Sequence, residues 1–360
     1  MSVRLAMQRP ALRAVVFFNL VVLAFLPFGL ELVLRWTEPL RGLPIEGFYN
    51  DYFYTWGKLV YVNRLGFRER DFSETKAANA YRIMLLGDSY TYGVGLTDVE
   101  RYGNLLEQQL QSHWPEREVQ VLNFGVSASC TVDQRDLLKK HMPGVRPDRI
   151  IVGFCYNDPK PGRQEDSAQR AAFERRFPLG AIATNLGQRL NLPRTGEFIK
   201  TRIDNLAGTL GLFPKWPAAV AAAYAANSPE WRDFVLALEN MKAMSDAADL
   251  PPPIFASLTN YKDPAVASQQ KRELYAQFQQ WHRQAEAAAR AAGWVVVDFE
   301  KEIPPDAPDS WLVVNRVDAH PSPAMNQIYA MKLFETLTGQ MPPARVDATS
   351  PAASSRPETE

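Results

Sequence analysis

The chain has 360 residues, with 40 basic and 40 acidic side chains and a pI near 6.9. That length holds one large domain or two modest ones, and the zero net charge, with no basic stripe, excludes the electrostatic field that nucleic-acid binding needs. The two cysteines, Cys130 and Cys155, match no zinc spacing and build no disulfide framework, which leaves open only their pairing with each other in an oxidising compartment.

The first predicted element is apolar. Ala14–Leu34, AVVFFNLVVLAFLPFGLELVL, is broken only by Asn19 and Glu31. As a helix it reaches roughly 30 Å, the thickness of a bilayer core, with Glu31 near one interface where its cost is small. Arg4, Arg9, Arg13 and the free amine precede the run, while Arg35 and Arg41 follow it. This bias places residues 1–13 in the cytoplasm and makes 14–34 a single-pass anchor, with the rest of the chain extracytoplasmic (periplasmic if the cell has two membranes). A cleaved signal peptide fits less well, because the run is long and no small-x-small site follows; a buried core helix is the third reading. Residues 35–80 form an aromatic-rich juxtamembrane segment whose rings suit the headgroup level or the domain's first strand.

From Tyr81 strand and helix patterns alternate. YRIMLL, EVQVLNF, RIIVGFCY, PIFASL and WVVVDF read as five short buried strands. Helical spacing appears at Tyr102, Leu105, Leu106 and Leu110, around TVDQRDLLKKHM, from about Pro264 to Ala292, and from about Ala324 to Leu337. Such alternation predicts an α/β domain over 81–339, with a parallel sheet covered on both faces and ligands bound beyond the carboxyl ends of the strands. Residues 159–250 are too long for one crossover, and their helix-like patches predict a helical insertion. Trp216 and Trp231 in it suit a sugar face or acyl chain, but also suit packing of the insertion on the sheet. Residues 340–360, rich in Pro, Ser and Ala, lack core residues and read as a disordered tail.

The strand ends carry the chemistry. The first gives Gly87-Asp88-Ser89, the second Asn123-Phe124-Gly125 and the third Asn157-Asp158; the loop before the last helix gives Asp318-Ala319-His320-Pro321. The sheet rule brings all four to one edge. There Ser89 can serve as a nucleophile, His320 as its base and Asp318 as the acceptor that holds the imidazole tautomer. The N–H groups of Ser89 and Gly125 and the Asn157 amide are candidate oxyanion donors, with glycine at 125 permitting close approach of a substrate. Taken singly these are ordinary features: a helix N-cap serine, turn residues and a structural histidine. His113 and His141 lie near helix C-termini and His282 in a polar helical run, so only His320 has a carboxylate two residues before it in a late loop.

Other uses of Gly-Asp-Ser fail on the residues. A P-loop needs Gly-Lys-Ser/Thr, the Gly-x-Ser-x-Gly elbow is broken by Thr91, and scattered histidines do not make a metal site. GDSYTYG, NFGVSA, YNDP and DAHPSP together resemble the four blocks of the SGNH hydrolase superfamily, the GDSL-type esterases, over Tyr81 to about Gly339. The resemblance implies a three-layer flavodoxin-like fold, with Ser89, Asp318 and His320 as the catalytic set and Ser89, Gly125 and Asn157 as the oxyanion hole. Cys155 stands where that family commonly has glycine, two residues before the Asn. The anchor followed by YVNRLGFRERDF also resembles membrane-anchored members linked to envelope glycans. The implied function is a cofactor- and metal-free serine esterase deacylating, as an O-acetyl esterase, an envelope carbohydrate or related ester. An O-acyltransferase using the same residues and a non-catalytic glycan-binding protein are the alternatives.

Overall fold

The computed structural model describes residues 9–41, 52–55, 58–160, 175–176, 178–210, 216–315 and 318–339. The expected cytoplasmic residues 1–8, the start of the insertion at 161–174 and the tail at 340–360 lie outside the described residues.

The chain begins with a long helix α1 (Arg9–Arg41), followed by a small antiparallel hairpin, β1 (Tyr52–Thr55) with β2 (Lys58–Tyr61). The domain proper then runs β3 (Ala80–Gly87), the one-turn helix α2 (Ser89–Tyr92), α3 (Tyr102–His113), β4 (Glu118–Gly125), α4 (Thr131–Val145) and β5 (Arg149–Phe154). The insertion supplies α5 (Leu179–Arg189), α6 (Pro193–Thr209), α7 (Trp216–Ala223) and α8 (Pro229–Ala247). The chain returns as β6 (Ile254–Ser257), α9 (Gln269–Ala291), β7 (Val295–Asp298), α10 (Asp309–Leu312), a hairpin of β8 (Val313–Asn315) and β9 (Asp318–Pro321), and α11 (Pro323–Thr338).

The five predicted strands form one parallel sheet in the order β4-β3-β5-β6-β7. Their near-continuous apolar runs suit burial on both faces. Because β4 and β5 lie on opposite sides of β3, right-handed crossovers put α3 and α4 on opposite faces of the sheet. Chain direction reverses between β3 and β5, which opens a crevice at their carboxyl ends. Residues 83–86, 150–152 and 254–256 fill the buried centre.

The edge strand β4 does not leave its outward donors open. The N–H groups of Val119, Val121 and Asn123 donate to Gln111 Oε1 (3.0 Å), Glu107 Oε2 (2.7 Å) and Glu69 Oε2 (3.0 Å). Side chains thereby close an edge that would otherwise invite strand pairing. Glu107 is held in turn by a two-pronged bond from Arg70 (2.9 and 2.7 Å).

Three glycines stand at one level of the sheet, with Gly87 in register with Gly125 on one side and Gly153 on the other. Thr91 of α2 sits against them: a Cβ at Gly87 or Gly153 would collide with its hydroxyl, and one at Gly125 would lie 2.8 Å from its carbonyl carbon. Gly153→Ala therefore meets Tyr102 Oη at 2.5 Å and Leu258 Cδ1 at 2.9 Å as well. Overpacking of this kind costs about 1–3 kcal/mol, which a shifted urea midpoint at unchanged slope will report; an unshifted midpoint would show that α2 gives way.

Candidate active site

Asp88 caps α2, its Oδ1 accepting from the Tyr90 N–H at 2.8 Å. Gly93 ends the turn in the left-handed region at φ +83° and donates to the Ser89 carbonyl, a position that suits glycine. Ser89 thus opens a helix at the carboxyl end of β3, where its backbone N–H has no partner within the helix. Three further groups fix this turn. Thr91 Oγ1 shares a hydrogen bond with Tyr102 Oη (2.8 Å), and Asn123 Nδ2 donates to the Thr91 carbonyl (2.7 Å). The guanidinium of Arg68, buried completely, donates to the carbonyls of Gly93 (2.6 Å), Leu96 (2.6 Å) and Tyr92 (3.3 Å).

His320 does not lie in a loop, as its Asp/Pro-flanked sequence predicts, but on β9, paired antiparallel to β8. The pairing lets Asn315 Oδ1 accept from the Asp318 N–H (3.0 Å), and Asn260 Nδ2 donates to the Ala319 carbonyl (2.5 Å). Asp318 Oδ1 accepts both the His320 N–H (2.9 Å) and a bond from His320 Nδ1 (2.5 Å). The imidazole lies edge-on to the Tyr90 ring at 5.6 Å, which brings the second group beside the Ser89 turn. No hydrogen bond joins Ser89 to His320 among the described residues; Ser89 Oγ donates instead to Asp88 Oδ2 over 3.4 Å. That bond is long enough to yield on a single side-chain rotation, and nucleophile–base bonds commonly tighten only with substrate bound.

The oxyanion candidates divide. Gly125 stands at the end of β4, but its N–H donates to Asn123 Oδ1 at 2.8 Å. The chain's own turn also requires glycine there: a Cβ would lie 2.5 Å from the Tyr92 nitrogen. Asn157 sits in the turn after β5, partly buried, and its Oδ1 has no hydrogen-bond partner among the described residues. Preceding it, Tyr156 stacks on Phe278 at 4.3 Å, so the turn is anchored on one side by an aromatic wall. Cys155 and Cys130 are both buried and free, which rules out their pairing here. Burial pushes the Cys155 thiol well up and that of Cys130 up to about 12.

The other histidines are packed. His113 lies against Phe334 and Trp114, and His141 against Phe67 and Phe124. His282, on a helix that reads as polar, is buried and shares a bond between Nδ1 and Ser257 Oγ (2.8 Å), with burial pulling it down to about 3. Trp231 packs on Phe234 and Tyr224; the side chain of Trp216 lies outside the described residues. Among the described residues no cluster of three or more His, Cys, Asp or Glu is placed to hold a metal ion.

Two carboxyls were not foreseen as a pair. Burial pushes Asp88 up, and the Tyr90 N–H and the positive charge of Lys160 pull it back. Asp158, beside Asn157, is pushed well up by burial and then by the charge of Asp88; its Oδ2 accepts from Gln134 Nε2 (3.3 Å) while its Oδ1 has no partner. Desolvation and the charge of Asp88 thus both disfavour the ionised form of Asp158. Arg68 and Glu69 were missed as well, and Asn123, named at its strand end, was given no role. The signal for them is a polar residue at a position the apolar pattern would bury.

The model of the GDSL-like lipase/acylhydrolase family matches residues 85–328, and the chain belongs to that family; it is a hydrolase acting on ester bonds. Among solved structures it is similar to LAE5, an α/β hydrolase enzyme from the metagenome of Lake Arreo, Spain, at 16% identity and a TM-score of 0.43, covering 74% of this chain and 98% of that one. It is also similar to Axe2, an acetylxylan esterase from Geobacillus stearothermophilus, at 14% identity and a TM-score of 0.44, covering 74% of this chain and 97% of that one. No curated protein matches the chain.

The buried carboxyls set a pH dependence. With its folded pKa raised above the ordinary value, Asp158 holds its proton in the folded state where the unfolded chain has released it, so its contribution to stability falls as pH climbs from the ordinary carboxylate range. Asp158→Asn keeps an acceptor for Gln134 and removes the titration. The stability of this variant relative to the parent will therefore increase between about pH 4 and about pH 8 in urea unfolding. A gap that stays constant or shrinks would mean that Asp158 is ionised and compensated in the fold.

Proposed function

We propose that Ser89 is the nucleophile, His320 its base and Asp318 the group that orients the imidazole. The observation that carries this reading is the Asp318–His320 pair on β9, its ring against Tyr90, the neighbour of Ser89. Since Nδ1 is engaged by Asp318, Nε2 takes the proton as Ser89 Oγ bonds to the ester carbonyl carbon. The same proton passes to the departing alcohol oxygen as the acyl–oxygen bond breaks. Water then repeats the sequence, His320 taking its proton, to release the carboxylic acid and restore Ser89. The Ser89 N–H and the Asn157 amide are the donors we assign to the oxyanion; Gly125 joins them only if its N–H leaves Asn123.

For localisation we infer a single membrane pass. The helix holds one stretch, Val16–Trp36, long and apolar enough to cross a membrane, and its apolar side chains, Phe17, Phe25 and Trp36 among them, stand exposed. With the flanking arginines this supports a cytoplasmic N-terminus and a hydrolase domain on the far side. A domain tethered there supports an acylated envelope carbohydrate as substrate, with O-acetyl as the group removed.

Ser89→Ala will lose hydrolysis of an activated acetyl ester and labelling by a fluorophosphonate, while Asp318→Asn will slow the reaction by about 10⁴-fold through the wrong imidazole tautomer. Initial rates and a mass map of the labelled peptide check both. Retained activity in Ser89→Ala overturns the nucleophile, and an acyl group recovered on a sugar hydroxyl in place of free acid would identify transfer over hydrolysis. A reporter active only in the cytoplasm, fused after Gly339, will be silent with the chain still membrane-bound. Full reporter activity reverses the topology, and a shortened soluble chain would indicate a cleaved signal.

A further inference from the structure

The first hairpin of the insertion, α5 with α6, packs on α1. Its two helices meet almost backbone to backbone: a Cβ on Gly187 would lie 2.8 Å from the Gly196 Cα, and one on Gly196 would lie 2.9 Å from the Ala183 carbonyl oxygen. The tip is then bonded to α1. Glu31, the single carboxylate of the apolar stretch and itself buried, accepts from the Thr195 N–H in the first turn of α6 (2.8 Å) and from Arg35 Nε (3.0 Å). The Thr195 hydroxyl donates to the Pro27 carbonyl (3.2 Å), and Arg194 brings a guanidinium within 3.7 Å of Glu31. An acidic residue in an apolar helix is costly unless paired, and here its partner is an orphan helix donor of the insertion.

The outward faces of the hairpin are apolar. Leu179, Ile182, Leu186 and Leu190 follow one face of α5, and Ile199, Leu206 and Leu210 recur along and just beyond α6; each is at least 42% exposed. Rows of this extent on a soluble surface mark an interaction site. The bonds to α1 say which one. Glu31 lies five residues inside the end of the stretch Val16–Trp36, a depth of about 7–8 Å along the helix. Amphipathic helices in a membrane interface bury their apolar faces by about 5–10 Å. Arg189, Arg194, Lys200 and Arg202 put cations on the same hairpin, as helices resting on anionic lipid do.

We propose that α5 and α6 form a membrane-seated hairpin whose apolar rows lie in the lipid interface on the side of the bilayer that carries the hydrolase domain. The proposal rests on the reading of α1 as a membrane span. The hairpin belongs to the insertion that leaves the sheet after β5 and rejoins it at β6, and within that insertion Tyr224 Oη donates to the Tyr156 carbonyl (2.8 Å).

The test uses the full chain in phosphatidylcholine/phosphatidylglycerol vesicles, with an environment-sensitive fluorophore on Ile182→Cys, Leu186→Cys, Phe25→Cys or Glu273→Cys. All four positions lie outside the catalytic set, the native cysteines are buried, and retained ester hydrolysis shows that each variant is folded. Nitroxide lipids should quench the 182 and 186 labels several-fold more than the 273 label, best with a shallow nitroxide, and should quench the label at 25 best with a deep one. Labels at 182 and 186 that behave like the 273 label while the label at 25 is quenched would overturn the hairpin and spare the anchor. Loss of quenching at 25 as well would overturn both readings. Labels at 182 and 186 shielded from both nitroxide lipid and aqueous iodide would mean that protein covers the rows, which also overturns the proposal.

Discussion

The seat of α2 on three strand ends is the constraint from which the site follows. A helix can begin directly at the end of β3 only if the neighbouring strands offer bare backbone, and Gly87, Gly125 and Gly153 do so at one level. Thr91 fills that seat and is tied there by Tyr102 and Asn123. Interiors are packed too densely for such a contact to tolerate an added methyl, so Ser89, two residues earlier, inherits a fixed position.

The segment between α1 and β3 is built into this arrangement. Arg68 binds the carbonyls that follow α2, Glu69 closes the last outward donor of β4, and Arg101 donates to the Arg68 carbonyl (2.5 Å). Burial pulls the Arg68 guanidinium down to about 10, with the charge of Arg101 adding to the effect and Asp98 opposing it. Burial of Arg68 is offset by the carbonyls and by Asp98, whereas Arg101 keeps its Nε without a hydrogen-bond partner among the described residues. A connection to α1 that is rigid at its domain end follows from these bonds.

Charge on the other side of the turn is organised differently. Asp88 and Asp158 are both removed from water, and Lys160 is the cation that moderates both. The Ser89 hydroxyl makes only a long bond, 3.4 Å, to Asp88 Oδ2, which one side-chain rotation breaks. Asn157, one residue from Asp158, is carried by the same turn, so the electrostatics of the carboxyl pair and the placement of its amide are coupled through one peptide.

Local chemistry made much of this legible in advance. Five apolar runs of strand length, separated by helical spacing, specify a parallel sheet, since that pattern buries both faces of every strand. The residues at the strand ends were readable because turns and caps use a small set of residue types at set offsets. Bonds between distant parts of the chain were not readable in this way. Glu69 meets Asn123 across 54 residues and Tyr102 meets Asn326 across 224, and nothing in the neighbourhood of either residue announces its partner. Tertiary structure alone made a strand of the segment bearing His320 and set Glu31 against the insertion. Periodicity and turn chemistry are properties of neighbours in sequence, whereas the pairing of a buried polar group depends on which elements the packed fold brings beside it.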